Sequence, residues 1–226
     1  MKYYNTKEAI FIDRPNRFIA NCIIDGKEEV CHVINTGRMK ELTIKGARAI
    51  VSEKDGEKRK TKFDLIALEK DGQLINIDSQ APNKIALEVL PEIFEDIVKI
   101  KPECKYQNSR FDIFVETKEK KAFVEVKGVT LKDGETARFP DAPTERGLKH
   151  INELIKAVEE GYEGYVLLII KMKGISRFSP NRITHPEFAD ALERAEKAGV
   201  KIIAYDCVVK EDEIYPDGQI PVDLRG

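Results

Sequence analysis

Residues 110–127 read RFDIFVETKEKKAFVEVK, and the way this stretch pairs with itself decides the fold of the second half of the chain. A tight turn centred on Lys118-Glu119 makes it a β-hairpin with Asp112 directly opposite Glu125. Side chains alternate between the two faces of a strand. One face then carries the apolar pairs Phe111–Val126, Ile113–Val124 and Val115–Ala122. The other carries Arg110–Lys127, Asp112–Glu125, Phe114–Phe123 and Glu116–Lys121. A slip of one residue would mix the two faces, so the pattern selects this register.

Two carboxylates held opposite each other repel. The arrangement is unfavourable unless a cation lies between them or one is protonated. A divalent cation such as Mg²⁺ or Mn²⁺ suits oxygen ligands of this kind, with water and phosphate oxygens completing its shell. Lys127 follows Glu125 by two positions on the same face, where its ammonium can orient a water or offset phosphate charge. Asp112, Glu125 and Lys127 are therefore the candidate catalytic residues, with Asp112 and Glu125 as metal ligands. Glu88, on the element before the hairpin, is a third candidate ligand. An E-x-K tripeptide alone is most often a solvated strand face; the opposed Asp112 is what favours the metal reading. Pro140-Asp141 lies after the E-x-K and reads as loop chemistry.

Outward from the hairpin, Glu145–Glu160 has Leu148, Ile151, Leu154, Ile155 and Val158 on one face and predicts an amphipathic helix closed by Gly161. Tyr165–Ile170 predicts a buried strand, Pro186–Ala198 a second helix and Val200–Tyr205 a last strand. Residues 128–144, punctuated by Gly and Pro, read as a loop. Ile85, Leu87, Val89 and Leu90 give a short, partly helical pattern that Pro91 interrupts. Residues 81–226 are thus expected to form an α/β domain.

Residues 1–80 read differently. Arg17–Ile24, Glu28–Ile34, Ala47–Glu53, Thr61–Glu69 and Gln73–Asp78 are strand-like, broken at Asp25-Gly26, Gly46, Asp55-Gly56 and Asp71-Gly72. Five short strands predict a small OB-like β-barrel.

Composition bounds the function. Hydrophobic residues make up 42% and charged residues 35%, as in a folded globular protein. The apolar run Tyr165–Ile170 is far shorter than a membrane span, and the first residues lack a signal-peptide core, so a cytoplasmic protein is expected. Cys22, Cys31, Cys104 and Cys207 show no zinc spacing and are expected to be buried free thiols. The net charge is −2, with 15 basic against 13 acidic residues in 1–80 and 23 against 27 in 81–226. Nucleic-acid binding must therefore rest on local patches. The candidates are Arg14, Arg17, Asn35, Arg38, Arg59 and Lys60 in the first domain. In the second, Arg146 and Lys149 follow a helix N-terminus suited to an anion. His32 and His150 read as structural residues. With no helix-turn-helix or zinc finger, binding would be dominated by the phosphate backbone and sensitive to salt.

Several strings then point to one family: RPNRF (14–18), HVINTGRM (32–39), RKTKFDL (59–65), ARFPDAPTERGLKH (137–150) and the hairpin itself. Together they resemble the sugar fermentation stimulation protein A (SfsA) family over about residues 11–205. The resemblance implies an N-terminal OB-like domain, a C-terminal PD-(D/E)xK (restriction-endonuclease-like) domain, DNA binding, and a regulatory role in sugar, notably maltose, metabolism. It places the motif aspartate at Asp112, with Phe111 in place of the nominal proline, and the E-x-K at Glu125-Val126-Lys127, where the Val126 carbonyl is an additional ligand. Glu88 matches the helix glutamate of many such nucleases. Three functions are then open: a largely sequence-independent DNA-binding regulator with an intact nuclease-like site, an active Mg²⁺-dependent nuclease, and a metal-dependent phosphoesterase on a small substrate. Whether the chain forms a homodimer is left open.

Overall fold

The computed structural model describes residues 1–56, 59–107 and 109–226. The first six strands are β1 (Thr6–Asn16), β2 (Ile19–Ile24), β3 (Lys27–Val33), β4 (Arg48–Glu53), β5 (Phe63–Lys70) and β6 (Gln73–Asn76). They are ordered β3-β2-β1-β4-β5-β6, and a parallel pairing of β3 with β5 closes the first five into a barrel. This is the OB topology that the sequence predicts. One strand differs. The fifth barrel strand is β1, which the sequence reading passed over, whereas the Gln73–Asp78 stretch only extends β5 as a hairpin. Strand β1 is hard to read because it alternates charged and apolar residues, contains Pro15 and shifts register near that proline. Its inward residues Ala9 and Phe11 pack with Ala20, Cys22, Cys31, Val51 and Leu65. The β2–β3 and β5–β6 turns are Asp25-Gly26 and Asp71-Gly72, both residues of each at positive φ, as a two-residue hairpin requires.

Helix α1 (Ala81–Ile93) follows, and then β7 (Ile97–Tyr106), β8 (Ser109–Thr117), β9 (Lys121–Val129), β10 (Leu131–Asp133), β11 (Thr136–Phe139), α2 (Glu145–Glu159), β12 (Glu163–Ile170), β13 (Arg177–Pro180), α3 (Pro186–Lys197), β14 (Lys201–Val209) and β15 (Ile214–Ile220). The main sheet has the order β15-β14-β12-β9-β8-β7, with β12 parallel to both of its neighbours. Strand β12 is buried on both faces, which is why its sequence is a continuous apolar run. Tyr165, Leu167 and Ile169 join the α1 side, with Ile113, Val115, Val124 and Val126. Val166, Leu168 and Ile170 join the α2–α3 side, with Phe123, Ile151, Leu154 and Phe188.

Four expectations are corrected. Pro91 does not interrupt α1: it lies in the last turn, where it removes one hydrogen bond, and Phe94 N–H still closes on the Leu90 carbonyl at 2.9 Å. The buried face of Ala81, Ile85, Ala86, Val89 and Leu90 holds the helix against the sheet. Residues 128–144 are not all loop, because β10 and β11 form a small sheet with β13. The edge strand β7 escaped notice because most of it is exposed, with charges in place of an alternating pattern. Cys104 is only half-buried, whereas the other three thiols are buried, and all four are free. Among the described residues no helix is long and apolar enough to cross a membrane.

Candidate active site

The site begins where the β8–β9 hairpin stops being regular. Its pairs run Glu116–Lys121, Val115–Ala122, Phe114–Phe123 and Ile113–Val124, the register the sequence predicts. Thr117 closes the turn: its N–H donates to the Lys120 carbonyl at 2.8 Å, and its Oγ1 accepts from Lys120 N–H at 3.0 Å. Beyond Ile113–Val124 the ladder ends. The expected pairs Asp112–Glu125, Phe111–Val126 and Arg110–Lys127 do not form among the described residues. Instead the Asp112 side chain enters the gap, and its Oδ2 accepts from Val126 N–H at 2.8 Å. Phe111 turns to the other face and packs tilted against Phe123, with ring centroids 5.0 Å apart. The carboxylate thus replaces a backbone acceptor and is fixed beside the E-x-K segment.

Glu125 is buried beneath α2, on the same face of β9 as Phe123 and Lys127. Its Oε1 accepts from both Lys127 Nζ and His150 Nδ1. Its Oε2 is buried and has no partner among the described residues. The other Asp112 oxygen accepts from Asn83 Nδ2 at 3.3 Å. Burial, and next the neighbouring Glu125 charge, push the Asp112 carboxyl above its usual range. Burial also acts upward on Glu125, but His150 and Lys127 outweigh it and hold that carboxyl below its ordinary value. A cleft of about 190 Å³ opens over these groups, rimmed by Phe139, Thr144, Arg146 and Gly147. The N-terminus of α2 faces it. Thr144 Oγ1 caps the helix by accepting from Gly147 N–H at 3.1 Å, and a Cβ at position 147 would fall 2.9 Å from that oxygen, so glycine is required for the cap.

The residues fit a divalent cation. A buried carboxylate oxygen without a donor is costly, and two carboxylates share the cleft. Among the described residues no group of three or more His, Cys, Asp or Glu side chains is arranged around a metal position. Asp112 and Glu125 are the side chains of the cleft that could hold a divalent cation, with water or phosphate to complete its shell. That is the oxygen-rich, partly hydrated shell that Mg²⁺ and Mn²⁺ favour.

The structure brings Asp112, Glu125, Lys127 and Arg146 together, and not Glu88. The Glu88 carboxylate pairs with the Met1 amine at 2.9 Å and is half exposed. Asn83, in the first turn of α1, reaches Asp112; Glu88 is five residues on, roughly 7.5 Å along the axis and about 140° around it. Lys149 is exposed on α2, one turn after Arg146. In the barrel, Arg17 and Arg38 line a groove with Lys40. Arg14 lines it too, but its guanidinium is engaged by the carbonyls of Arg17, Asn35, Gly37 and Arg38, so it braces the loop. The Asn35 side chain is likewise occupied, by Gly37 N–H and the Ile77 carbonyl, each at 2.8 Å. Arg59 pairs with buried Asp64 near His32, outside that groove, and Lys60 is exposed beside it. The sequence reading missed Asn83, Lys40 and the site role of His150. For His150 a signal existed, since it lies one turn before Leu154 on the face of α2 that meets β9.

An OB barrel joined to a restriction-endonuclease-like α/β domain with a D…E-x-K cleft defines the class of this protein. The profile described as "SfsA N-terminal OB domain" matches residues 12–77, and that described as "Sugar fermentation stimulation protein RE domain" matches residues 80–213. The chain is 52% identical to the sugar fermentation stimulation protein homolog of Ruminiclostridium cellulolyticum, over 99% of this chain and 100% of that one. It is 54% identical to the Clostridium beijerinckii homolog, over 95% and 96% of the two chains. The solved structure of Pyrococcus furiosus SfsA in complex with Ca²⁺ superposes with a TM-score of 0.89 at 33% identity, over 99% of this chain and 98% of that one. The chain belongs to the sugar fermentation stimulation protein (SfsA) family.

Proposed function

We propose that this protein is a DNA-binding protein of the cytoplasm whose second domain hydrolyses phosphodiester bonds with a divalent metal, Mg²⁺ or Mn²⁺. Residues 1–80 grip the strand and residues 81–226 carry the chemistry. The observation that carries the reading is the unpartnered, buried Oε2 of Glu125 beside Asp112. Asp112, Glu125 and the Val126 carbonyl hold the cation. The Ca²⁺ of the Pyrococcus furiosus relative supports a hard cation with oxygen ligands. Bound there, the metal supplies Lewis acidity toward a phosphate oxygen. Lys127 positions the attacking water or meets the phosphate. His150 is a positioning residue: it holds the Glu125 carboxylate through Oε1 and leaves Oε2 unpartnered. Arg146 and the α2 N-terminus receive the phosphate, and Arg17, Arg38 and Lys40 extend the grip on the backbone. Such contacts are sequence-tolerant and fall off with salt.

A second reading rests on the barrel groove, whose cations are independent of the acidic centre. By it the protein binds DNA without turnover, as a regulator of sugar genes. Labelled single-stranded, duplex and branched DNA, incubated with and without Mg²⁺ or Mn²⁺ beside the Glu125→Ala variant, separates the two. Metal-dependent products that vanish in the variant establish hydrolysis. Salt-sensitive binding with no products in either metal leaves the regulator.

A further inference from the structure

The active-site cleft is not the only concavity that the two domains build. A cavity of about 200 Å³ lies between them, and half of its lining residues come from the two long strings noted in the sequence, HVINTGRM and ARFPDAPTERGLKH. At roughly 30 Å³ per water it is too large for a structural water or two. It is also not isolated. Phe139 is a wall of both this cavity and the active-site cleft. Gly37 is a wall of both this cavity and the basic groove of the barrel. Groove, cavity and cleft therefore lie in sequence along the domain junction. A strand lying in both the groove and the cleft would therefore run beside this cavity.

The chemistry inside is specific. Lys171 is buried, and among the described residues its ammonium makes one hydrogen bond, to the Asp78 carbonyl at 3.1 Å, leaving donor capacity toward the cavity. Burial pushes its pKa down to about 8, against the opposing pull of Asp78, Cys207 and Asp141. Asp141 faces it from the loop after β11, half-buried, and accepts no hydrogen bond and makes no ion pair among the described residues. Met39, Pro82 and Phe139 supply apolar walls. A partly buried carboxylate and a buried ammonium with open valences, beside apolar walls and the Arg138 guanidinium, suit a ligand that carries both donors and acceptors. Its one edge must carry N–H donors beside a carbonyl.

We infer that this cavity is a nucleobase pocket that takes one unpaired base next to the phosphate in the cleft, and that guanine is the base it prefers. The assignment rests on the proposed function, since a strand must lie in the cleft. Guanine alone among the bases offers two parallel donors, N1–H and N2–H₂, that match both oxygens of one carboxylate. Its O6 adjoins them and accepts from the ammonium. Charge-assisted, bidentate contacts of this kind discriminate strongly. Adenine and cytosine present an amino group but no ring N–H beside it, and thymine a ring N–H but no amino group. A base reaches such a pocket only when unpaired, so the substrate is a single strand or a duplex from which a nucleotide is extruded.

The test measures binding by fluorescence anisotropy, at fixed salt and with Ca²⁺ present, of twelve-residue thymidine oligonucleotides carrying one central guanine, inosine or adenine. Inosine keeps O6 and N1–H and lacks only the amino group. The guanine oligonucleotide is expected to bind about tenfold tighter than the adenine one, with inosine between. Asp141→Asn, which keeps the size of the side chain, is expected to collapse the guanine-to-inosine ratio toward one; Lys171→Met is expected to weaken guanine and inosine alike. Equal affinities for the three oligonucleotides in the wild type, or a ratio untouched by Asp141→Asn, would overturn the pocket while leaving the DNA-binding reading intact. Should no oligonucleotide bind, that broader reading fails, and titration of dGMP against dAMP by NMR decides the cavity alone. Absence of a guanine preference there overturns it as well.

Discussion

Two ionisable groups lie on either side of Phe139, and the protein treats them in opposite ways. Glu125 is 1% exposed and Lys171 is 2% exposed. Glu125 has donors built around it: Lys127 and His150 both reach one of its oxygens. Lys171 has a carbonyl at 3.1 Å and only more distant carboxylates. The carboxyl of Glu125 is held below its ordinary value, whereas the Lys171 ammonium is pulled down to about 8. Burial disfavours charge in both. What differs is whether opposite charge was built in to oppose it. The cleft keeps its acid ionised, and so ready for a cation. The cavity leaves its base partly compensated, and so ready for a ligand that brings acceptors.

Removing the carboxylate is the largest way to break this contrast. Glu125→Ala leaves Lys127 and His150 facing each other without their shared acceptor. Deleting one partner of a buried ion pair costs about 3–5 kcal/mol. Lys127 retains some contact with solvent, so the lower end is expected, about 3 kcal/mol, read from urea unfolding without metal. Metal-dependent cleavage is expected to fall by on the order of 10³-fold or more. A variant as stable as wild type would show that the cluster is not held by charge.

The pH dependence of stability sharpens the comparison. The Lys171 amine binds its proton with a pKa near 10.5 when unfolded and about 8 when folded. Between those values the unfolded chain holds more protons, so stability rises with pH. The penalty is full below pH 8 and gone above about pH 10.5. From pH 7 to 9.5 the wild type should gain about 2 kcal/mol relative to Lys171→Met. Denaturant melts of both proteins at the two pH values measure this; parallel behaviour would mean that Lys171 stays solvated or fully paired.

A smaller effect is expected in the barrel. Arg38 is exposed and lines the groove, whereas Arg14, which lines it too, is engaged by four carbonyls. Arg38→Ala should weaken DNA binding several-fold for every sequence and reduce the salt slope by about one. Arg14→Ala should instead act through loss of the loop brace, and so lower thermal stability together with affinity. Titrations at three salt concentrations, with melts of the same samples, distinguish the two.

How far the sequence could be read follows the same physics. The hairpin was legible because a two-residue period on opposed strands leaves one consistent register, and Asp112, Glu125 and Lys127 came with it. The point where the ladder ends was not legible, because the Asp112 carboxylate there takes the Val126 N–H that a strand would have paired. Strand β7 was invisible for a different reason: an exposed edge needs no apolar alternation. From sequence Asp141 reads as loop chemistry, and nothing local reveals that Lys171, 30 positions on, lines the same cavity. Contacts made by one element with its own neighbours are written in the periodicity. Contacts made across the domain junction are not.

The smallest expected effect tests where α1 points. Sequence pattern puts Glu88 at the metal; the structure puts it at the Met1 amine, half exposed. Exposed pairs contribute roughly 0–1 kcal/mol. Glu88→Ala should therefore change stability by less than about 1 kcal/mol and leave metal affinity untouched. Asn83→Ala, which removes the donor to Asp112, should lower metal affinity, because second partners of a ligand typically matter by about tenfold or more. Isothermal titration with Mn²⁺ compares the two variants directly. If the order is reversed, with Glu88→Ala weakening the metal and Asn83→Ala not, then α1 in the metal-loaded protein presents a different face to the cleft. The cleft would then hold a third carboxylate, Glu88, beside Asp112 and Glu125.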